Sequence, residues 1–328
     1  MANVVRFLAV IALFALNVIA WAQPAATGSG QAYPNRPVRF VLGFPAGGPT
    51  DAAGRIIAQA LSPTLGQTVL IDNRPGADGA IGADLVAKAT PDGHTLLMGS
   101  GSNIAGVPAM RKTPPYDSIA DFVPVVFVGW SSLMLVVHPG VPAKTLAELI
   151  THARANPGKL IVAAANPPTI FTMAQIKSAA KVDFLNVPYK GDAAAVPDLL
   201  AGRVHILSGG TNLLLPYVKE GRLRALAALT RTRTKPAPEV PTIVEAGVPN
   251  FSIYGWFVLF APAKTPAVIV ERLEREVNAV LKRQETQDQF LKIGLETGGP
   301  SRQELPAFIK GQLTSWATAA RDAGMQPQ

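Results

Sequence analysis

No cysteine occurs anywhere in the 328 residues. That excludes a disulfide scaffold, a thiolate metal site, a cysteine nucleophile and a lipid anchor carried on an N-terminal cysteine. Charge is sparse as well, at 16% of residues, and aromatics make up 7%. Apolar residues reach 48%, so the chain can bury a sizeable core and is not disordered by composition. The four histidines, His94, His138, His152 and His205, lie far apart and form no short metal-binding pattern. There is no G-x-S-x-G elbow and no G-x-x-x-x-G-K-[ST] phosphate loop. Gly76, Gly79 and Gly82 are spaced by three, which fails the dinucleotide fingerprint. No catalytic residue, metal or cofactor is therefore expected, although a triad assembled from distant residues would leave no local trace.

Long apolar runs are missing beyond the N-terminus. Arg6 closes a short positive start, residues 7–20 are an apolar run, and Ala20-Trp21-Ala22 fits a small-x-small cleavage site. A run of that length is short for a bilayer and reads as a secretory signal peptide over 1–22, cleaved near Ala22. Residues 23–34, with Gly28-Ser29-Gly30, read as a loose leader. The net charge of +8 suits anionic solutes or nucleic acid. Export and the lack of an arginine-rich helix with interleaved aromatics argue against nucleic acid. Arg231, Arg233 and Lys235 read as a solvated edge.

What is there alternates strand and helix. Residues 38–44, 69–71 and 95–98 are strand candidates, separated by a helical pattern on Ala53, Ile56, Ile57, Ala60 and Leu61 and another over 81–89. Further strands are predicted at 123–128, 133–137, 160–164, 184–187, 204–207 and 223–229, with helices between. Thr145 and Glu148 form a capping box. The proline-rich stretch 235–241 reads as a surface excursion, and 252–260 as a long extended run. After Pro262 only helices are predicted, over 268–281, 285–293 and 303–323. These must pack on a sheet made earlier, so the chain leaves its first domain, builds a second and returns. The expected fold is α/β with two lobes, each a mostly parallel sheet flanked by helices. Lobe 1 is 35–137 plus 258–328 and lobe 2 is 138–257, with crossings near 130–138 and 254–260.

The richest stretch is Gly43-Phe44-Pro45-Ala46-Gly47-Gly48-Pro49-Thr50-Asp51, after a strand and at a helix start. Backbone N–H groups there, at the positive end of the helix dipole, can hold an anion, and Gly47 and Gly48 let a ligand come close. Asp51 could cap the helix or meet a ligand amine or hydroxyl. The same residues also make an ordinary turn with Thr50 or Asp51 as N-cap, and the local pattern leaves both readings open. Ser100, Ser102 and Asn103, after the third strand, either donate to a ligand or belong to a plain turn.

Several ordered motifs are similar to those of one family. They are 33–38 (YPNRPV), 44–51 (FPAGGPTD), 72–77 (DNRPGA), 89–97 (ATPDGHTLL), 187–191 (VPYKG), 221–227 (GRLRALA) and 241–247 (PTIVEAG). Together they resemble the tripartite tricarboxylate transporter substrate-binding proteins, or Bug receptors, over nearly the whole chain. The resemblance implies a periplasmic, monomeric receptor of the Venus-flytrap kind, two α/β lobes closing on a small organic carboxylate. It also implies a two-subunit membrane carrier as partner and no catalysis. A sensor subunit presenting bound ligand to a signalling partner, and an exported α/β enzyme, are the rival readings.

By the same resemblance, first-lobe ligand donors lie at Ala46, Gly47 and Gly48 with Asp51 beside them, and further contacts at Ser100, Ser102 and Asn103. The second-lobe turn is Tyr189-Lys190-Gly191, followed by Asp192. Two segments depart from the family pattern. Residues 163–172 (AAANPPTIFT) replace a Ser/Gly-rich loop ending in histidine, and Gly209-Gly210 stand where an Asp-Asn pair is usual. Thr169, Gly209 and Gly210 are the ligand-facing positions expected there. Their change implies a second-lobe wall with fewer donors and more room for an apolar or aromatic body.

Overall fold

The computed structural model describes residues 33–322 and 324–327; the stretch read as a signal peptide and all but two residues of the leader lie outside the described residues. Arg36–Gln328 is one compact unit, and residues 33–35 belong to the segment before it.

The unit opens with β1 (Val38–Leu42), α1 (Pro49–Leu65), β2 (Val69–Asn73), α2 (Ala80–Ala87) and β3 (Thr95–Ser100). Val38, Phe40, Val41 and Leu42 are buried, because a parallel strand covered by helices on both faces needs apolar residues throughout. In α1, Ala53, Ile57, Leu61 and Leu65 form the buried stripe, and Gly66 ends the helix in the left-handed region at φ 67°. A long strand, β4 (Phe122–Ser131), follows.

A single residue, Ser132, separates β4 from β5 (Leu133–Val137), yet the two strands lie in different sheets. The chain then runs through α3 (Leu146–Ala155), β6 (Ile161–Ala164), α4 (Pro167–Ala180), β7 (Leu185–Pro188), α5 (Asp192–Leu200), β8 (Ile206–Gly210), α6 (Thr211–Lys219) and β9 (Arg224–Ala228). It returns through β10 (Gly255–Pro262), α7 (Ala267–Leu281), α8 (Gln284–Lys292), β11 (Leu295–Glu296) and α9 (Leu305–Asp322). The first sheet has the order β11-β4-β10-β3-β1-β2 and the second β7-β6-β8-β5-β9.

This is a two-lobe α/β fold. In the first sheet β1 pairs parallel with β2 and β3, while β10 runs antiparallel between β3 and β4. In the second, β6 pairs parallel with β7 and β8, and β5 runs antiparallel to β8 and β9. Both β5 and β10 are the first strands laid down after the chain changes sheets, and each enters against the prevailing direction.

Four details differ from the sequence reading. Leu133–Val137 belongs to the second sheet, and Gly255, Trp256 and Phe257 belong to the first, so the changes of sheet fall at Ser132 and between Ala228 and Gly255. A strand does exist near the C-terminus: Leu295–Glu296 pairs with Ser131 and Trp130, too short to show any period. The 235–241 stretch is not wholly at the surface, because Ala237 and Val240 are buried in the second-lobe core. In the capping box Glu148 N–H donates to Thr145 Oγ1 at 3.2 Å, but the carboxylate reaches back to Lys144 N–H at 2.6 Å rather than to Thr145.

The C-terminal helix α9 touches both lobes. Trp316 is fully buried; a Cβ at Gly101 would sit 3.0 Å from its ring, and the Phe171 ring of α4 lies 4.7 Å from it.

Candidate functional site

The carboxyl ends of β1, β2 and β3 lie side by side, and the loops that follow them pack closely. A Cβ at Gly43 would fall 2.6 Å from the Gly79 carbonyl, and one at Gly79 would fall 3.0 Å from both Phe44 and Asn103. Only glycines allow this approach, so three loops share one patch.

Within the first loop Pro45, Ala46 and Gly47 are exposed and Gly48 is partly so. Gly48, extended at φ −82° and ψ 172°, is the N-cap of α1, with Pro49 at the first helical position. The expectation that Thr50 or Asp51 caps the helix is thus corrected: both lie inside it. Asp51 braces the turn from within. Its Oδ2 accepts from Gly47 N–H at 3.0 Å and from Arg55 Nε at 2.9 Å, and its Oδ1 accepts from Asn73 Nδ2 at 3.1 Å. The same Asn73 amide donates to the Phe44 carbonyl at 3.1 Å. The Arg55 hydrogen bond is the largest of the effects on the Asp51 carboxyl and, with those from Gly47 and Asn73, holds its pKa below the usual carboxylate value against the opposing cost of burial.

The third loop begins with Ser102–Gly106 wound as a π-turn. Asn103 is fully buried; its Oδ1 accepts from Ser100 N–H at 2.8 Å and stands 3.2 Å from Ser100 Oγ, while its carbonyl takes the Tyr116 hydroxyl. Its Nδ2 is buried without a partner. A buried amide N–H without a partner costs free energy.

The second lobe repeats the design. The ends of β6, β7 and β8 bring Asn166, Asp192 and Gly210 together. Asn166 caps α4, accepting from Thr169 N–H at 2.8 Å, and its Nδ2 donates to Asp192 Oδ1. Gly210 N–H donates to Asp192 Oδ2 at 3.2 Å. Thr169 is fully buried and donates to the Ser208 carbonyl. Burial pushes the Asp192 carboxyl up to about 6, outweighing the two hydrogen bonds that lower it. Close by, Thr172 Oγ1 and Ser208 Oγ are buried without partners.

Ala46, Gly47, Gly48, Asp51, Ser100, Ser102 and Asn103 therefore gather at the strand ends of the first sheet, and Thr169, Asp192, Gly209 and Gly210 at those of the second. Tyr189 turns aside: its hydroxyl donates to Asp198 at 2.6 Å. Lys190 is exposed, and Gly191 caps α5 at φ 100°. Sequence reasoning did not single out Asn73 or Asn166 as site residues. Their partners lie 22 to 29 and 26 residues away, and no local signal announces such a pairing. Cavities of about 440 Å³ around Trp130, Ser132, Arg231 and Tyr254, and about 470 Å³ around Met110, Arg111 and Met325, include none of the residues chosen from sequence. Arg231, read as a solvated edge, lies 5.8 Å over the Trp130 ring. Among the described residues no three His, Asp or Glu side chains converge as metal ligands.

Residues 53–325 match the family model of the tripartite tricarboxylate transporter family receptor. The chain belongs to that family. Among curated relatives, Protein BugT of Bordetella pertussis is 35% identical over 327 residues, covering 98% of both chains. Two solved receptors of Rhodopseudomonas palustris superpose closely. Rpa4515 with adipate is 34% identical with a TM-score of 0.80, covering 90% of this chain and 100% of that one. MatC with bound malate is 30% identical with a TM-score of 0.76, covering 88% and 99%. The receptor shares with them the two-lobe α/β fold of solute-binding proteins, and its family and structural neighbours are not enzymes. No helix among the described residues of the receptor is long and apolar enough to cross a membrane.

Proposed function

We propose that this receptor captures a small organic carboxylate between the strand ends of its two sheets, in the periplasm, and delivers it to a two-subunit membrane carrier of the tripartite tricarboxylate type. The observation that carries the reading is the matched pair of half-sites at the carboxyl ends of parallel strands, where ligands of open α/β sheets bind. One holds the exposed 45–48 turn and the buried, unpartnered amide of Asn103; the other holds Asn166, Asp192 and Gly210, with Thr169 buried beside them. That relatives of the same fold were solved with adipate and malate supports carboxylate as the ligand class. The chain changes sheets at Ser132 and again on its return to Gly255; these two crossings serve as the hinge, and the receptor works as a monomer. No cofactor takes part.

A thermal-shift screen of about a hundred organic acids tests this. A ligand that binds the folded state alone at a hundred times its Kd adds about 2.7 kcal/mol of stability. At least one acid should raise the melting temperature and be recovered unchanged. A flat response across mono-, di- and tricarboxylates overturns the proposal.

A further inference from the structure

The second half-site already contains a carboxylate, and it belongs to the protein. Asp192 opens α5, and its two oxygens take the Asn166 side-chain amide and the Gly210 backbone N–H, one donor from the end of β6 and one from the end of β8. Two amide donors converging from neighbouring strand ends are what a ligand carboxylate needs. The fit of Asp192 into that place depends on Gly209, since a Cβ there would come within 3.0 Å of Asp192 Oδ2. The wall is thus shaped around the aspartate side chain. With a carboxyl titrating at about 6, Asp192 is an anion above neutral pH.

We propose that Asp192 is a specificity-determining residue that fills the second anion position of the cleft, so that the receptor takes an acid with a single carboxylate whose far end carries a hydroxyl or ammonium donor to Asp192. This rests on reading the cleft as the carboxylate site. The ligand carboxylate goes to the first half-site, at the exposed 45–48 turn. A second ligand carboxylate would lie beside Asp192, and like charges about 4–6 Å apart in a partly buried site lower affinity on the order of 100-fold. A hydroxyl or ammonium in the same place finds an acceptor whose remaining lone pairs are free for it.

Chains of one length isolate the effect. Isothermal titration at pH 8 compares adipate, 6-hydroxyhexanoate, 6-aminohexanoate and hexanoate, and the four-carbon series from succinate to butanoate, on wild type, Asp192→Ser and Asp192→Asn. Asp192→Asn keeps the side-chain shape and guards against a Ser variant that fails to fold. In wild type the hydroxy or amino acid should bind at least 10-fold more tightly than the diacid of equal length. Either substitution should reverse that order, with a gain of 10-fold or more for the diacid. A wild type that prefers the diacid, or a ratio unmoved in both variants, overturns the assignment of Asp192 while leaving the cleft as a carboxylate site. Should the broader acid screen and all three proteins give no binding, the reading of the cleft falls and this inference with it.

Discussion

Asp51→Ala tests whether the aspartate beside the first-lobe turn serves the turn or the ligand. Its side chain is almost fully buried and already has three donors, from Gly47, Arg55 and Asn73. The Arg55 pair is i,i+4 with 56% of the arginine side chain exposed, so it contributes only about 0.3–0.5 kcal/mol. Gly47 is exposed and water can replace the carboxylate there, while Asn73 keeps the Phe44 carbonyl. Each of these two bonds is worth roughly 0.5–1 kcal/mol net. The sum is about 1.3–2.5 kcal/mol, a fall in melting temperature of about 2–4 °C for a chain of this size. Because the carboxyl pKa is depressed in the folded state, the contribution is present above the ordinary value of 3.8 and is lost as pH falls through the lower folded value. The stability gap between wild type and variant should therefore close in acid. Binding should weaken by a similar factor for every acid tested, since a looser 45–48 turn lowers the fraction of receptor ready to bind. Differential scanning calorimetry and titration with acids bearing and lacking an amine or hydroxyl read both quantities. An unchanged melting temperature with selective loss of the amine- and hydroxyl-bearing acids would refute the reasoning and turn Asp51 toward the ligand.

Three other outcomes are expected. Gly48→Ala adds a Cβ that meets only the Pro45 carbonyl, at 3.6 Å, so the protein should stay folded while carboxylate affinity drops. Gly47→Val, at φ +84°, should also lose about 1–2 kcal/mol of stability; calorimetry with titration separates the two, and full affinity in Gly48→Ala contradicts the anion role of the turn. Small-angle scattering should show a smaller radius of gyration with saturating ligand, since two changes of sheet allow a hinge, and identical curves would mean a rigid receptor. Asp192 carries the opposite pH sign to Asp51. Its raised pKa means its stabilising share is whole below about 3.8 and lost as pH rises through about 6. Asp192→Asn removes this pH dependence, so the stability difference from wild type should move in favour of the variant as pH rises from about 4 to 8 in chemical denaturation; a difference that does not change with pH contradicts it.

The opening strands and helices were legible because burial on both faces makes β1 and β3 mostly apolar, with only Arg39 interrupting β1, and gives α1 a 3.6 period. Periodicity says that Leu133–Val137 is a strand but not which sheet it joins; one residue, Ser132, decides that by its bonds to Gly294 and Thr211 across long sequence distances. Leu295–Glu296 exists only through pairing with β4 and has no signature of its own. The turn at 45–48 could be found from its glycines. The direction in which Asp51 points could not, because it depends on Asn73. The sequence marks Asp192 only as the residue after Tyr189-Lys190-Gly191, and its meaning appears once the ends of β6 and β8 bring two amides to it.

Trp316 gives the receptor an optical gauge of its own. The indole sits between the turn at Gly101 in the first lobe and Phe171 in the second, so any change in the spacing of the lobes alters what surrounds it. Trp256 lies within the first lobe, its Nε1 held by Gln312 at 2.9 Å, and supplies a steady background. Domain movement can therefore be followed by intrinsic emission without a dye, and replacing Trp316 by phenylalanine should remove its share of the signal, leaving that of Trp130 beside the Ser132 crossing.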